Sequence, residues 1–270
     1  TPFQQMRLFF TKWRRAVVPV FSLLLLGAGA PALGQGTELF VSEYDEGAHS
    51  NVVTCPGQTV PSLGNEKAIE IYNPTTSTVS LAAYSLRRYL NGSLTVTEDE
   101  KLVRTSGANT LAPGATFVIA HPDATLSNIL ATKNQTASIR ASGPTATVLV
   151  GGGPIQYNGD DAMALVRWSS GTAGQGTPVI VDIFGIIGHQ PLSAGGTGTG
   201  AWTAIDLNGV FTSSANQSLV RRPSVSSGST SLAWDKNVFP GLDPATFNIA
   251  TEWEAYGFAF PPPSGAADPC

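Results

Sequence analysis

Outside one segment, the apolar positions of the chain fall into short runs with strand character, separated by clusters of turn residues. The runs are Leu39–Tyr44, Ala68–Tyr72, Tyr84–Tyr89, Thr116–Ala120, Ala162–Arg167 and Val179–Phe184. In the second, Ile69 and Ile71 face one way and Glu70 and Tyr72 the other, the alternation of a strand with one wet face. Asn73-Pro74 ends that strand, because proline lacks the N–H a ladder needs and disfavours helix at the residue before it. Ala112-Pro113-Gly114 makes a turn, with Pro113 presetting φ and Gly114 free to take a positive one. Asn158-Gly159-Asp160-Asp161 reads as a hairpin-type turn whose aspartates accept loop N–H groups. The one helical segment is Asp123–Ala131, where Leu126, Ile129 and Leu130 share a side and Asp123 is placed to cap the start. Short strands with one short helix predict an all-β sandwich or barrel. Its single core spans about residues 38–260, without an internal repeat.

Composition sharpens this picture. Glycine (29) and proline (19) are abundant among 270 residues, which argues against long helices. Charged residues are only 13% while hydrophobic ones are 42%, the opposite of a disordered chain. Five lysines, ten arginines and a net charge of −4 exclude a surface built to wrap nucleic acid. The run Ser193–Gly200 is loop-like within the domain, and residues 261–270, with Pro261-Pro262-Pro263, read as a tail or linker.

The first 34 residues carry a different signal. From Met6, the expected start, come Arg7, Lys12, Arg14 and Arg15, then the apolar stretch Ala16–Leu26, then small residues up to Gly34. A basic segment, a short apolar core and a small-residue cleavage site make a secretory signal peptide, with cleavage expected after Ala30 or Gly34. A membrane anchor is the alternative, but the core is shorter than the roughly 20 residues of a span and Pro19 interrupts it. Cleavage removes four basic residues and no acidic one, so the mature domain, residues 35–260 with its tail, carries −8. Secretion or cell-surface display is therefore expected. Two cysteines, Cys55 and Cys270, can pair in an oxidising compartment, and their spacing among three histidines fits no zinc site.

Several blocks, taken in order, carry a family resemblance. They are Leu39-Phe-Val-Ser-Glu-Tyr44, Asn65–Pro74, Val79–Leu86, Leu111-Ala-Pro-Gly114 with Phe117–Ala120, Asn158–Ala162 with Ala164–Val166, Val181–Gly185, and the closing pair Ser218–Pro223 and Glu252–Tyr256. Together they resemble a bacterial lamin tail domain across about residues 38–260. The resemblance implies an immunoglobulin-like β-sandwich that serves as a binding or structural module. It also implies an accessory role in secreted or surface proteins, often ahead of a catalytic domain such as an extracellular nuclease or phosphatase. Insertions interrupt the pattern between Tyr44 and Asn65, where Cys55 lies, and between Gly188 and Trp202.

Candidate chemistry begins with the carboxylates Glu43, Asp45, Glu46, Asp160, Asp161 and Asp182. Asp45, Glu46, Asp160 and Asp161 head the metal candidates, because calcium takes six to eight oxygens from loop carboxylates and carbonyls. The competing expectation is that Asp160 and Asp161 brace a turn while the others are solvated, and it is favoured in the absence of any repeated calcium motif. A glycosidase-type carboxylate pair is disfavoured because most acids fall in turns or on outward strand positions. His49, His121 and His189 have no serine or cysteine nucleophile in a recognisable motif. The glycine runs 151–153 and 195–200 lack the Lys-Ser/Thr of a phosphate loop. Among Tyr84, Tyr89, Trp168, Trp202, Trp234 and Trp253, Trp168 is the expected exposed ring and the candidate ligand contact. Arg87-Arg88 and Arg221-Arg222 put one arginine on each face of a strand, so neither doublet makes a patch.

The expectation is a secreted, non-catalytic module for binding, adhesion or domain spacing, with no cofactor and with a cell-surface or matrix partner. The alternative is the N-terminal accessory domain of an exported hydrolase whose catalytic domain lies beyond Cys270.

Overall fold

The computed structural model describes residues 36–47, 64–138, 140–142, 148–150, 153–191, 200–205, 211–230, 247 and 249–256; for 140–142, 148–150, 205, 211 and 256 it describes the backbone alone. All belong to one compact unit, Leu33–Cys270. In chain order the strands are β1 (Phe40–Asp45), β2 (Ala68–Tyr72), β3 (Val79–Ser80), β4 (Tyr84–Tyr89), β5 (Glu98–Lys101), β6 (Thr110–Leu111), β7 (Thr116–Ala120) and β8 (Gln135–Thr136). They continue with β9 (Arg140–Ser142), β10 (Val148–Val150), β11 (Ala162–Trp168), β12 (Pro178–Phe184), β13 (Thr203–Ile205), β14 (Phe211–Ser213), β15 (Ser218–Arg221) and β16 (Trp253–Tyr256). Each of the six runs read from the sequence forms a strand, with bounds shifted by no more than one residue.

The larger sheet has the order β16-β15-β1-β2-β7-β8, and the smaller β12-β11-β4-β5. Neighbours are antiparallel except β7 and β8. Val41, Tyr44, Ile69, Ile71, Phe117, Ile119 and Leu219 from the first sheet form one buried cluster with Leu86, Met163, Leu165 and Phe184 from the second. The chain is thus an immunoglobulin-like β-sandwich. Tyr44 stacks between Phe184, 4.0 Å away, and Tyr157, 4.5 Å away, joining the sheets at the centre. Each such pair contributes about 0.5–1.5 kcal/mol beyond its area.

Strict alternation cannot put both Val41 and Tyr44 inside, because they are three positions apart. The pairing of β1 with β2 slips between Val41 and Glu43, and this bulge at Ser42 returns Tyr44 to the core. A second slip, between Leu165 and Val166 on β11, leaves Val181 of β12 as the extra residue. Both Val181 and Asp182 then point to the interior side.

Among the described residues, two short α-helices form where one was expected. The first, α1 (Ser127–Thr132), starts later than Asp123, and the second, α2 (Ile249–Glu252), precedes β16. Asp123 does not cap α1; the buried Glu66 carboxylate instead fastens the segment that leads into it, accepting the N–H groups of Thr125 (2.9 Å) and Leu126 (3.0 Å). An anchor from so far along the chain has no local sequence signature. Ile129 of α1 packs on Ala68, Val118 and Ala120, covering part of the outer face of the larger sheet. Among the described residues, no helix is long and apolar enough to cross a membrane.

The turns obey their residues. Gly114 takes φ +71° and Ala115 N–H closes the turn on the Ala112 carbonyl. The turn at 158–161 leads into β11, whose partners are β4 and β12, so it enters a central strand instead of closing a hairpin. Asn73, fully buried, bonds the carbonyls of Ser77 and Leu111 at 2.9 Å each and fastens the end of β2 to the β6 region.

Candidate functional site

The carboxylates expected to be solvated are mostly interior. Asp45, Glu46, Asp160, Asp161 and Asp182 are all buried, each with specific donors. Asp182 stands apart from the other four. Alternation and turn composition place a side chain on a face; they do not show that the face is covered.

Asp182 sits at the seam of the two sheets. Its carboxylate faces the Arg221 guanidinium across contacts of 2.5 and 3.2 Å and accepts N–H groups from Val41 (2.8 Å) and Ser229 (2.7 Å). Arg221 also bonds the Val41 carbonyl at 3.1 Å and Glu252 at 2.7 Å, and lies 4.9 Å over the Trp253 ring. Burial pushes the Asp182 carboxyl up, and Arg221 with the N–H donors opposes that rise. Gly228 admits the covering segment: a Cβ there would sit 2.4 Å from the Val181 carbonyl oxygen and 2.5 Å from the Asp182 Cβ.

A second group lies where β1 ends and the turn before β11 begins. Asp45 accepts the Ser218 hydroxyl at 2.9 Å. Glu46 pairs with Lys67 at 3.2 Å and accepts the Asn216 N–H at 2.6 Å. Asp160 accepts the Gln190 amide at 2.7 Å, while Asp161 holds Arg88 at 3.1 Å and the Asn91 N–H at 2.9 Å. Burial raises the Asp161 pKa against the pull of Asn91 and Arg88. Asp160 and Asp161 therefore tie their turn to Gln190 and to the end of β4. Among the described residues, no three His, Cys, Asp or Glu side chains form a group that could hold a metal ion. The neighbouring N–H and ammonium groups take most of the oxygens a calcium shell would need.

On the outer side of the larger sheet, Glu43 of β1 stands directly opposite Glu70 of β2. The Ser42 hydroxyl bonds Glu70 at 2.7 Å. Burial, then Glu70, then Asp45 push the Glu43 carboxyl up to about 9, so it keeps its proton at neutral pH. Burial also raises Glu70, against the hydroxyls of Ser42 and Thr116.

Trp168 is half-buried instead of exposed. Its indole N–H donates to Ser85 Oγ at 2.9 Å and the Arg87 guanidinium lies 5.0 Å over its ring. Tyr84, Tyr89, Trp202 and Trp253 are buried, and Trp234 lies outside the described residues. Both arginine doublets are neutralised: Arg87 by Asp99, Arg88 by Glu98 and Asp161, Arg221 by Asp182 and Glu252, Arg222 by Glu254. His121 is buried and its Nδ1 accepts the Asp123 N–H at 3.2 Å, while His189 packs by Trp202, ring centres 5.7 Å apart. Cys55, Cys270 and His49 lie outside the described residues.

One feature has no counterpart in the sequence reading. Where β5, an edge of the smaller sheet, meets β8, an edge of the larger one, an open groove of about 490 Å³ is lined by Lys101, Val103, Arg104, Thr105 and Thr136, among others. Gln135 closes its floor, giving its amide N–H to the Lys101 carbonyl at 3.0 Å and accepting the Val103 N–H at 2.8 Å. The groove joins residues from β5 and β8, a juxtaposition that local patterning does not reveal.

Two sheets packed over a shared core agree with the sandwich that the ordered blocks imply. A family model, Lamin Tail Domain, matches residues 34–178, more than half of the chain. The chain belongs to the lamin tail domain family. No curated protein and no solved structure matches it. The match to the lamin tail domain ends at Pro178, the first residue of β12, so it is shorter than the resemblance read from the blocks. The same sandwich nevertheless runs on: β12 completes the smaller sheet, and β15 and β16 complete the larger.

Proposed function

We propose that this lamin tail domain is a non-catalytic module of an exported protein, serving binding, adhesion or the spacing of attached domains. The observation that carries the reading is the use made of its charged side chains. Asp182, Arg221, Asp161, Arg88, Glu46 and Lys67 are buried in ion pairs that tie strands and turns together. Groups held this way brace a scaffold; a general acid or base needs access to a substrate proton. Export rests on the basic, apolar and small-residue segments of residues 6–34.

Two measurements test the reading. Mass spectrometry of the chain expressed in a bacterial host with a periplasm should show a mature N-terminus just after Ala30 or Gly34; an uncleaved, membrane-retained chain would favour the anchor. The purified chain should show no turnover of nucleic acid, phosphate esters or glycosides. Turnover abolished by a single substitution within residues 36–256 would overturn the non-catalytic role.

A further inference from the structure

We propose that the groove between the β5 and β8 edges binds an acidic polysaccharide, with Lys101 and Arg104 meeting its sulfate or carboxylate groups. The proposal rests on the reading of the domain as a binding module and names the ligand class.

Charge pairing is the first ground. Lys67, Arg87, Arg88, Arg167, Arg221 and Arg222 each have a carboxylate partner within 3.2 Å. Among the described residues, Lys101, Arg104 and Lys133 form no ion pair. Two of these three line the groove, and Lys133 stands two residues before Gln135, which also lines it. In a chain of net charge −4, cations without a counter-ion gathered at one place are available to an anion from outside.

The lining acids do not cancel them. Asp99 pairs with Arg87 at 2.9 Å. Glu100 is buried, and its carboxylate accepts the Gln135 amide, the Ser138 N–H and the Ser138 hydroxyl, each at 2.9 Å. Gly153 makes room for it, since a Cβ there would lie 2.7 Å from Glu100 Oε2. Arg104 is positioned by its Nε–H bond to the Thr110 carbonyl at 3.0 Å and lies 5.5 Å over the Phe117 ring. That leaves the remaining guanidinium N–H groups for a planar acid group, which an arginine fork suits.

Size and lining favour sugar over nucleic acid. About 490 Å³ falls within the range of small-molecule sites, and the open form lets a polymer enter and leave. Thr105 and Thr136 line it with hydroxyls, while among the described residues no aromatic ring lines it to stack a base.

The experiment is calorimetric titration of the full chain with dextran sulfate and with polygalacturonate, alongside uncharged dextran and oligothymidylate. The comparison proteins are Lys101→Gln/Arg104→Gln and, as a control away from the groove, Arg167→Gln, all checked for unchanged melting. At least one acidic polysaccharide should bind, weaken with added salt, and bind about tenfold or more weakly to the double variant but not to Arg167→Gln. If the double variant misfolds, Lys101→Gln alone carries the test, because Lys101 is exposed and should still weaken binding. Binding of neither polymer, or equal binding of uncharged dextran, overturns the proposal. Tighter binding of oligothymidylate reassigns the groove to nucleic acid and overturns it as well. Polysaccharide binding undiminished in the variants overturns the groove but leaves a binding module, whereas substrate turnover would overturn the module and not the groove.

Discussion

Two carboxyl sites, one half-buried and one fully buried, lie in different parts of the chain and solve the same problem differently. Within the segment matched by the family, Glu43 and Glu70 stand side by side on neighbouring strands, and Glu43 keeps its proton. Beyond that segment, Asp182 meets Arg221 and the N–H groups of two other elements. A buried acid without a cation avoids charge by holding a proton; one with a cation and N–H donors can remain ionised. The first site is a local consequence of a cross-strand pair. The second links β12, β15, β1, the end of α2 and the 228–229 segment, so it belongs to the closure of the whole sandwich. Residues past Pro178 are thus integral to the domain.

The largest expected effect comes from removing the cation. Arg221→Met should lower unfolding stability by about 3–5 kcal/mol in urea denaturation, because Asp182 stays buried without its partner. Asp182→Leu/Arg221→Met should recover only part of this loss, since the N–H groups of Val41 and Ser229 then lack an acceptor. A loss under about 1 kcal/mol in the single variant would mean that the ion pair does not hold the seam.

Next is Gly228→Ala, expected to cost about 1–3 kcal/mol because the new methyl meets backbone at Val181 and cannot be relieved by a side-chain rotation. An unchanged midpoint would show that the 228–229 segment can leave Asp182 without consequence.

The Glu43 site should reveal itself through pH. The folded carboxyl holds its proton to about 9 and the unfolded one releases it near 4.5, so the folded state binds more protons in this window. Its contribution is complete below pH 4.5 and declines as pH rises toward 9. In Glu43→Gln the fall of melting temperature between these limits should flatten, with a residual slope from the other raised carboxyls, Glu70, Asp161 and Asp182. Identical pH profiles for the two proteins would mean that Glu43 does not hold its proton in the folded state. The smallest effect is expected from Asp99→Asn, under about 1 kcal/mol, because that pair is partly exposed and Arg87 keeps its stack on Trp168. A larger loss would make the outer face of the smaller sheet more critical than the seam comparison implies.

Much of the architecture was readable along the chain. Ile69 and Ile71 announce their inward face, Pro113-Gly114 its turn, and the lack of long helical spacing the all-β class. These features depend on neighbours one to four residues apart, which is the range over which strand alternation and turn geometry operate. The ordered blocks added the family and its sandwich, though the family model stops at Pro178. Less legible were the fates of the acids. Glu66 anchors the approach to a helix 60 residues away, and Asp182 finds its cation 39 residues on. Nothing beside either residue in sequence marks those partners.

The chain's own alternation and turn residues settle which segments become strands and which class of fold they build, because backbone conformation responds to local sterics. Only the assembled sandwich decides that Ser42 is the bulge returning Tyr44 to the core, that Asp182 is paired with Arg221 while Glu43 faces Glu70, and that Lys101 and Arg104 share a groove. Those outcomes depend on burial and on partners from distant strands, and electrostatic energy is set by distance in space.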